Sequence, residues 1–400
     1  MASVVEVCDD EGRVTARDMD DEVRVTSALA LRRPIYCVAP MVGQCDLPFR
    51  LLCRRQGATL VYTEMFLARR FAREARYRMD ALGGGVDAAD RPLFVQFASN
   101  DAAEFAEACE HACALGADGA DLNLGCPQIR AKEGRYGAWL QEDWDTCCGL
   151  VAAARRRCPE TFSISVKLRV QYDEEGGKPS PERTVAFAKR LVAAGATLVA
   201  LHARTRGRVD ARRDGAADLS VVKRLVEANL RVPVLSNGNV RCRGDVAANL
   251  EETGADGIMV AEQLLRDPAL FSSDGDRPRS PATLVGAYLD ACAATEARRG
   301  VPRDDGSTAG RDGAVSRAES PQDGAARYSN WWPNVDVVRC HVKRLLEPGG
   351  AAHKETLQRN TFRKALSVAN VDAYLRKRLR LPDFDAAARP PEEPPRARQP

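Results

Sequence analysis

One thiol in this chain stands where a strand gives way to a loop and then a helix. It is Cys126, in Asp121-Leu122-Asn123-Leu124-Gly125-Cys126-Pro127. A loop with Gly134 and Gly137 follows, then Ala138-Trp139-Leu140. A thiol so placed can act as a general acid or a nucleophile if its loop carries it to the reacting atom. Gly125 and Pro127 shape the turn, and the two later glycines are expected to let the loop move. Other candidates close other apolar runs. Lys167 and Arg169 end Val166-Lys167-Leu168-Arg169, and His202 and Arg204 lie in Leu201-His202-Ala203-Arg204-Thr205-Arg206. A cation there can stabilise charge on a reduced ring cofactor, and a histidine can bind a ring edge or an anion. The structural alternative for Lys167 is an ion pair across the site with Glu64. Gln96 can donate to and accept from a ring carbonyl and imide. Asn237-Gly238-Asn239 and Ala261-Glu262 are turns of the kind that hold phosphate through backbone N–H groups, with Gly238 permitting close approach. Gly83-Gly84-Gly85 follows no strand and lacks dinucleotide spacing, so it reads as a loop.

These residues need a scaffold that gathers the ends of many strands. From Pro34 to Phe271 short apolar runs alternate with amphipathic stretches. The runs are Ile35–Ala39, Leu60–Tyr62, Leu93–Phe97, Gly119–Leu122, Ser163–Leu168, Leu198–Leu201, Pro233–Ser236 and Gly257–Val260. Continuous Val, Ile, Leu and Phe mark strands covered on both faces. Between them, Ala102–Leu115, Thr184–Ala194 and Ser220–Ala228 repeat apolar residues at helical spacing, and Asp218 and Ser220 are possible caps. Gly57, Gly116, Gly195 and Gly254 mark helix ends. Eight βα units read as an α/β fold, a (β/α)8 TIM barrel over residues 31–275, with a doubly wound sheet as the alternative. In a barrel the chemistry sits at the carboxyl ends of the strands. Pro40-Met41-Val42, Thr63-Glu64-Met65, Gln96, Asn123 to Cys126, Lys167, His202, Asn237 and Ala261-Glu262 all fall there.

Composition bounds the rest. The chain has 400 residues, 44% of them hydrophobic, a net charge of +3 and 13 cysteines. Any nucleic-acid contact must therefore come from local patches. The cysteines are scattered and odd in number, which reads as reduced thiols in a cytoplasmic or nuclear protein. Cys109 and Cys113, one turn apart among alanines, read as helix packing. No C-x-x-C pair recurs at zinc spacing, so no metal is expected. No apolar run is long enough to span a membrane. Residues 1–30 are acidic and read as a flexible segment. Residues 280–381 read as a small helical domain with a disordered insertion at about 299–325, and 386–400 as a disordered tail. Basic residues cluster twice: Arg204, Arg206, Arg208, Arg212 and Arg213 after the sixth strand, and Arg359, Arg363, Lys364 and Arg376 to Arg380 near the end. Together they suit a large folded RNA, and Trp331-Trp332 could stack on a base or anchor the helices.

Taken in order, Ala39-Pro40-Met41-Val42, Tyr62-Thr63-Glu64-Met65, Val95-Gln96-Phe97, Asn123-Leu124-Gly125-Cys126-Pro127, Val166-Lys167-Leu168-Arg169, Leu201-His202-Ala203-Arg204-Thr205-Arg206, Ser236-Asn237-Gly238-Asn239 and Gly257 to Glu262 resemble the tRNA-dihydrouridine synthases. The set looks like the eukaryotic branch acting on uridines 16 and 17 of tRNA. The resemblance implies reduction of uridine to 5,6-dihydrouridine, with FMN as cofactor and NADPH as reductant, the nicotinamide binding transiently over the flavin. It maps flavin contacts onto Pro40, Met41, Val42, Gln96, Lys167, His202, Asn237, Gly238, Asn239 and the Ala261-Glu262 turn. It maps the proton donor onto Cys126 and substrate contacts onto Asn123, Arg169 and Arg204. Many members have Gly-Arg where this chain has Ala261-Glu262, so backbone N–H groups must hold the phosphate here, or Glu262 points away. The chain is expected to act as a monomer on tRNA. One rival is an FMN barrel reducing a small pyrimidine, and a second is a non-catalytic tRNA-binding factor.

Overall fold

The computed structural model describes residues 4–8, 14–18, 31, 33–175, 177–207, 215–272, 280–298, 335–347 and 368–380. Arg208, Arg212, Arg213, Trp331-Trp332, Arg359, Arg363, Lys364, the insertion and the tail lie outside the described residues.

Each apolar run forms a strand: β1 (Ile35–Val38), β2 (Leu60–Leu67), β3 (Leu93–Ala98), β4 (Gly119–Leu124), β5 (Ser163–Arg169), β6 (Leu198–His202), β7 (Val234–Asn237) and β8 (Gly257–Val260). They pair in parallel in chain order, and β8 pairs with β1 to close the barrel. Alternate residues face opposite sides. Ile35, Tyr62, Phe94, Ala200, Leu235 and Met259 fill the barrel interior as one cluster. Their neighbours Val61, Val95, Leu122, Val166, Leu201 and Ile258 pack outward in the larger cluster that includes the helices. Gly257 is needed for closure, because a side chain there would meet the Ile35 carbonyl at 2.3 Å.

Toward the carboxyl ends the inward file turns polar, with Gln96 on β3, Asp121 and Asn123 on β4, Ser165, Lys167 and Arg169 on β5, His202 on β6 and Asn237 on β7. β2 runs past its expected end, because its register with β3 shifts between Tyr62 and Met65 and pairing then resumes. At that bulge the Thr63 hydroxyl accepts from the Gln96 amide at 3.2 Å, standing in for a missing ladder bond. Gly57, Gly116, Gly195 and Gly254 all take positive φ at helix ends. Asp218 caps its helix, accepting from Ser220 N.

Two features lie outside the expected domain plan. Within the acidic N-terminal stretch, Val4–Cys8 and Val14–Asp18 pair antiparallel. Valine and threonine in these two segments supply strand propensity. The helices Pro281–Arg298, Val335–Leu346 and Val368–Leu379 do not form a separate core. Leu284, Tyr288, Val342, Leu345, Val371 and Leu375 belong to the same apolar cluster as the outer face of the barrel. Arg376, expected among the phosphate-contacting residues, is buried; it pairs with Asp290 of Pro281–Arg298 at 2.7 Å and with Asp372 one turn back on its own helix at 2.8 Å. No helix among the described residues is long and apolar enough to cross a membrane.

Candidate active site

Cys126 follows β4 by two residues and is partly exposed at the barrel mouth. The Asn123 carboxamide oxygen accepts from the amides of Gly125 and Cys126, both at 2.9 Å, and so shapes the turn. The Cys126 carbonyl accepts from Ala138 N at 3.0 Å. Gly137 has φ +65°, and a side chain there would meet the Cys126 carbonyl at 2.7 Å. This glycine, expected to give the loop freedom, instead lets two backbone segments pack together. Arg169 braces the same turn, donating through Nε to Gly125 O at 2.6 Å and through Nη1 to Thr205 O at 2.8 Å.

Below the thiol lies a buried polar ladder. Asn123 Nδ2 donates to Gln96 Oε1, and Gln96 Nε2 donates to Asp121 Oδ2, both at 2.8 Å. Ser165 Oγ donates to Asp121 Oδ1 at 2.6 Å and lies 3.2 Å from the Tyr62 hydroxyl. Sequence reasoning missed Asp121, Ser165 and Tyr62. The available signal was a carboxylate inside an otherwise apolar strand.

Lys167 occupies the inward position of β5 beside Asn123 of β4. A side chain at Gly125 would come within 3.9 Å of its Nζ. Burial pulls Lys167 down to about 8, helped by Arg169 and opposed by Asp121, Cys37 and Cys126. The Glu64 alternative does not hold, since Glu64 Oε2 accepts from Gly43 N at 2.6 Å and Asp121 is the carboxylate acting on Lys167. Lys167 makes no hydrogen bond among the described residues, so its three donors are available to a ligand. Burial pushes Asp121 up to about 6, against the pull of Ser165, Gln96 and Lys167. Burial also raises the Cys126 thiol, opposed by the Gln128 amide, Arg169 and Lys167. At neutral pH the sulfur therefore keeps its proton, the state required of an acid and not of a thiolate nucleophile.

The remaining candidates ring the mouth. Arg204 donates to His202 Nε2 at 3.0 Å, to Asn239 Oδ1 at 3.0 Å and to Gly215 O at 2.9 Å. A guanidinium only donates, so Nε2 of His202 is the acceptor nitrogen and Nδ1 carries the proton. Asn239, at φ +57°, also bonds both backbone groups of Ala217. Arg204 and Asn239 thus build the loop wall. Asn237 Nδ2 donates to Met259 O at 2.7 Å. Gly238 takes φ +138°, where a side chain would strike Ala217 at 2.7 Å. Pro40 and Met41 are half-buried, Val42 is 49% exposed, and Glu262 is exposed at the first turn of a short helix, Glu262–Arg266. Arg206 stacks over Trp139 at 3.9 Å beside the thiol loop, with Lys132 at 5.1 Å from the same ring.

The family pattern described as dihydrouridine synthase matches residues 37–293. A tRNA-dihydrouridine(16/17) synthase (NAD(P)+)-like protein of Rattus norvegicus is 42% identical over 260 residues, covering 64% of this chain and 55% of the rat protein. The tRNA-dihydrouridine(16/17) synthase of Schizosaccharomyces pombe is 34% identical, covering 64% of this chain and 61% of its own. A tRNA-dihydrouridine(20a/20b) synthase-like protein of Mus musculus is 32% identical, covering 60% and 70%. The chain thus spans little more than half the length of the rat relative. With the closed barrel, the strand-end polar ring and a match running from β1 into the first C-terminal helix, the chain belongs to the dihydrouridine synthase family.

Proposed function

We propose that this protein reduces uridine to 5,6-dihydrouridine in the D-loop of tRNA, at position 16 or 17, using FMN and NADPH. The observation that carries the reading is the pairing, at one barrel mouth, of a protonated thiol with an ammonium that has no protein acceptor among the described residues. The donor chemistry fits a flavin mononucleotide. Lys167 offers a cation to an electron-rich ring edge. Gln96 keeps one N–H and one lone pair after its two ladder bonds, enough to meet an imide. His202, Asn237, the Gly238 backbone and the Ala261-Glu262 turn line the side where a phosphate would lie, and Pro40, Met41 and Val42 adjoin that turn, because β1 pairs with β8. Asn239 and Arg204 support that wall. When bound there, a flavin would supply the hydride chemistry at uracil C6, with NADPH as the reductant.

The protein's own part is to hold and protonate the base. A uridine in a loop is turned out of its stack for a few kcal/mol, less than in a duplex. Cys126 Sγ gives its proton to C5 as charge develops there. Lys132, Arg206 and Arg130 at the mouth suit the RNA backbone. Position 16 or 17 is favoured because the relatives so named share 34–42% identity, against 32% for the 20a/20b protein.

Mass spectrometry of unmodified tRNA incubated with the protein and NADPH tests this. A gain of two hydrogens on a D-loop uridine is expected. Cys126→Ala should keep its flavin and lose about 10²- to 10⁴-fold in turnover, the usual worth of a positioned acid. Full turnover by that variant would remove Cys126 from its role. No product on tRNA despite bound flavin, with reduction of a free pyrimidine, would favour the small-molecule reductase.

A further inference from the structure

We propose that Asp121 is a positioning residue for the Cys126 thiol, acting through Gln96 and Asn123. The support is the polarity of the ladder. At its upper end the amides of Gly125 and Cys126 can only donate, so Asn123 must turn its oxygen to them and its nitrogen to Gln96. Gln96 must then turn its oxygen to Asn123 and its nitrogen to Asp121. At the lower end an ionised carboxylate can only accept, and it demands the same orientation of Gln96. Ser165 Oγ lies 2.6 Å from Asp121 Oδ1 against 3.4 Å from the Ala120 carbonyl, so its one hydrogen goes to Asp121, which leaves Tyr62 to donate to Ser165. Every hydrogen bond in the ladder thus points toward Asp121. Two carboxamides that could each flip are held in one orientation by groups that have no alternative.

Burial gives this force. Tyr62, Gln96, Asp121 and Ser165 are at most 1% exposed and Asn123 is 8% exposed, so bulk water is poorly placed to replace a lost partner. A barrel interior packs well with apolar side chains alone, and a carboxylate there is costly. The rise of Asp121 to about 6 reflects that cost. What the carboxylate adds is a fixed direction for the turn that carries the thiol. The inference deepens the proposed reaction and rests on it only for its second readout.

The test is amide hydrogen exchange of the full chain, read by mass spectrometry on the peptide carrying Gly125 and Cys126. In Gln96→Met the link is cut with little change in volume, and in Asp121→Leu the terminal acceptor is removed. Both should speed exchange at these two amides by about five- to tenfold, the worth of roughly one hydrogen bond. Exchange in β7 and β8, across the barrel from Gln96 and Asp121, should stay unchanged. Asp121→Asn keeps one acceptor and should fall between; if Asp121→Leu does not fold, the other two variants decide. Unchanged exchange at Gly125 and Cys126 would overturn the proposal. So would acceleration spread evenly over the barrel, which a merely structural role would give. In the tRNA assay, Asp121→Asn should lower kcat at least about tenfold with KM for tRNA unchanged. If the wild type reduces no uridine while the exchange pattern appears as expected, the reaction is wrong and the positioning role stands.

Discussion

Burial holds Lys167 at about 8, below the ordinary lysine range, and this has a consequence for stability. The unfolded chain binds the proton more tightly than the folded one, so stability falls as pH drops from the ordinary lysine value toward 8 and stays at its low level below that. At neutral pH the flavin-free protein therefore carries a strained cation. Lys167→Met should relieve it, raising the melting temperature of the flavin-free protein at pH 7 by an amount corresponding to roughly 1–3 kcal/mol. The gain should shrink as pH approaches 10. The cost should appear in function, as weaker flavin retention or slower flavin reduction by NADPH. Asp121 loses its cationic neighbour in this variant, and its existing bias toward the neutral acid limits that penalty. A variant that melts lower than wild type at pH 7, or that binds and reduces flavin normally, would remove Lys167 from its assigned place. Such trade of stability for a site is common where a group is kept for chemistry.

Two glycines separate the element that builds the barrel from the element that carries the thiol. Gly257 on β8 faces the Ile35 carbonyl so closely that a methyl group would sit 2.3 Å from it. Gly257→Ala should force β8 from β1 and lower stability by about 2–4 kcal/mol or prevent folding, visible in the denaturant midpoint. Gly137 has the opposite profile. Its methyl would meet the Cys126 carbonyl at 2.7 Å from a positive-φ position, in a loop and not in the sheet. Gly137→Ala should cost about 1–2 kcal/mol but displace the thiol turn, so uridine reduction should fall far more than stability does. Equal activity in Gly137→Ala and wild type would show that this close approach does not hold Cys126. The sequence reveals these elements unevenly. Strands buried on both faces are continuous apolar runs, so all eight are legible, as are the polar residues at their carboxyl ends. The same double burial hides which residues face inward, because alternation has no polar side to mark it. Asp121 and Ser165, one layer below the mouth, therefore read as strand interior. The extension of β2 depends on a bulge that no composition signals. The strand pair Val4–Cys8 and Val14–Asp18 is hidden by the acidic residues around it.

The whole molecule is joined where sequence alone suggests two parts. Asp46, buried to 1%, caps the helix Leu47–Arg55 by accepting from Phe49 N at 3.3 Å. The same carboxylate accepts from the Tyr288 hydroxyl at 2.8 Å and lies 3.0 Å from His341 Nε2. The His341 ring stacks on Phe49 with centroids 4.6 Å apart. One carboxylate of the barrel thus faces two of the C-terminal helices, inside a continuous apolar cluster. Cutting the chain after Phe271 would expose Phe49 and leave Asp46 without these neighbours. Loss of activity in that truncation would not discriminate an RNA enzyme from a small-pyrimidine reductase, since the barrel itself would be damaged. A point substitution is the cleaner probe. His341→Ala removes a buried ring and one neighbour of a buried carboxylate, and should cost about 2–4 kcal/mol. Because the core is shared, barrel and helices should still unfold in a single transition, shifted to lower denaturant, when followed by tryptophan fluorescence and by far-ultraviolet circular dichroism together. Two separated transitions, with the barrel midpoint where wild type has it, would mean that the helices are an independent appendage. The single transition would place the helical segment in the barrel's own stability, so that any RNA-binding surface it carries is held rigidly with respect to Cys126.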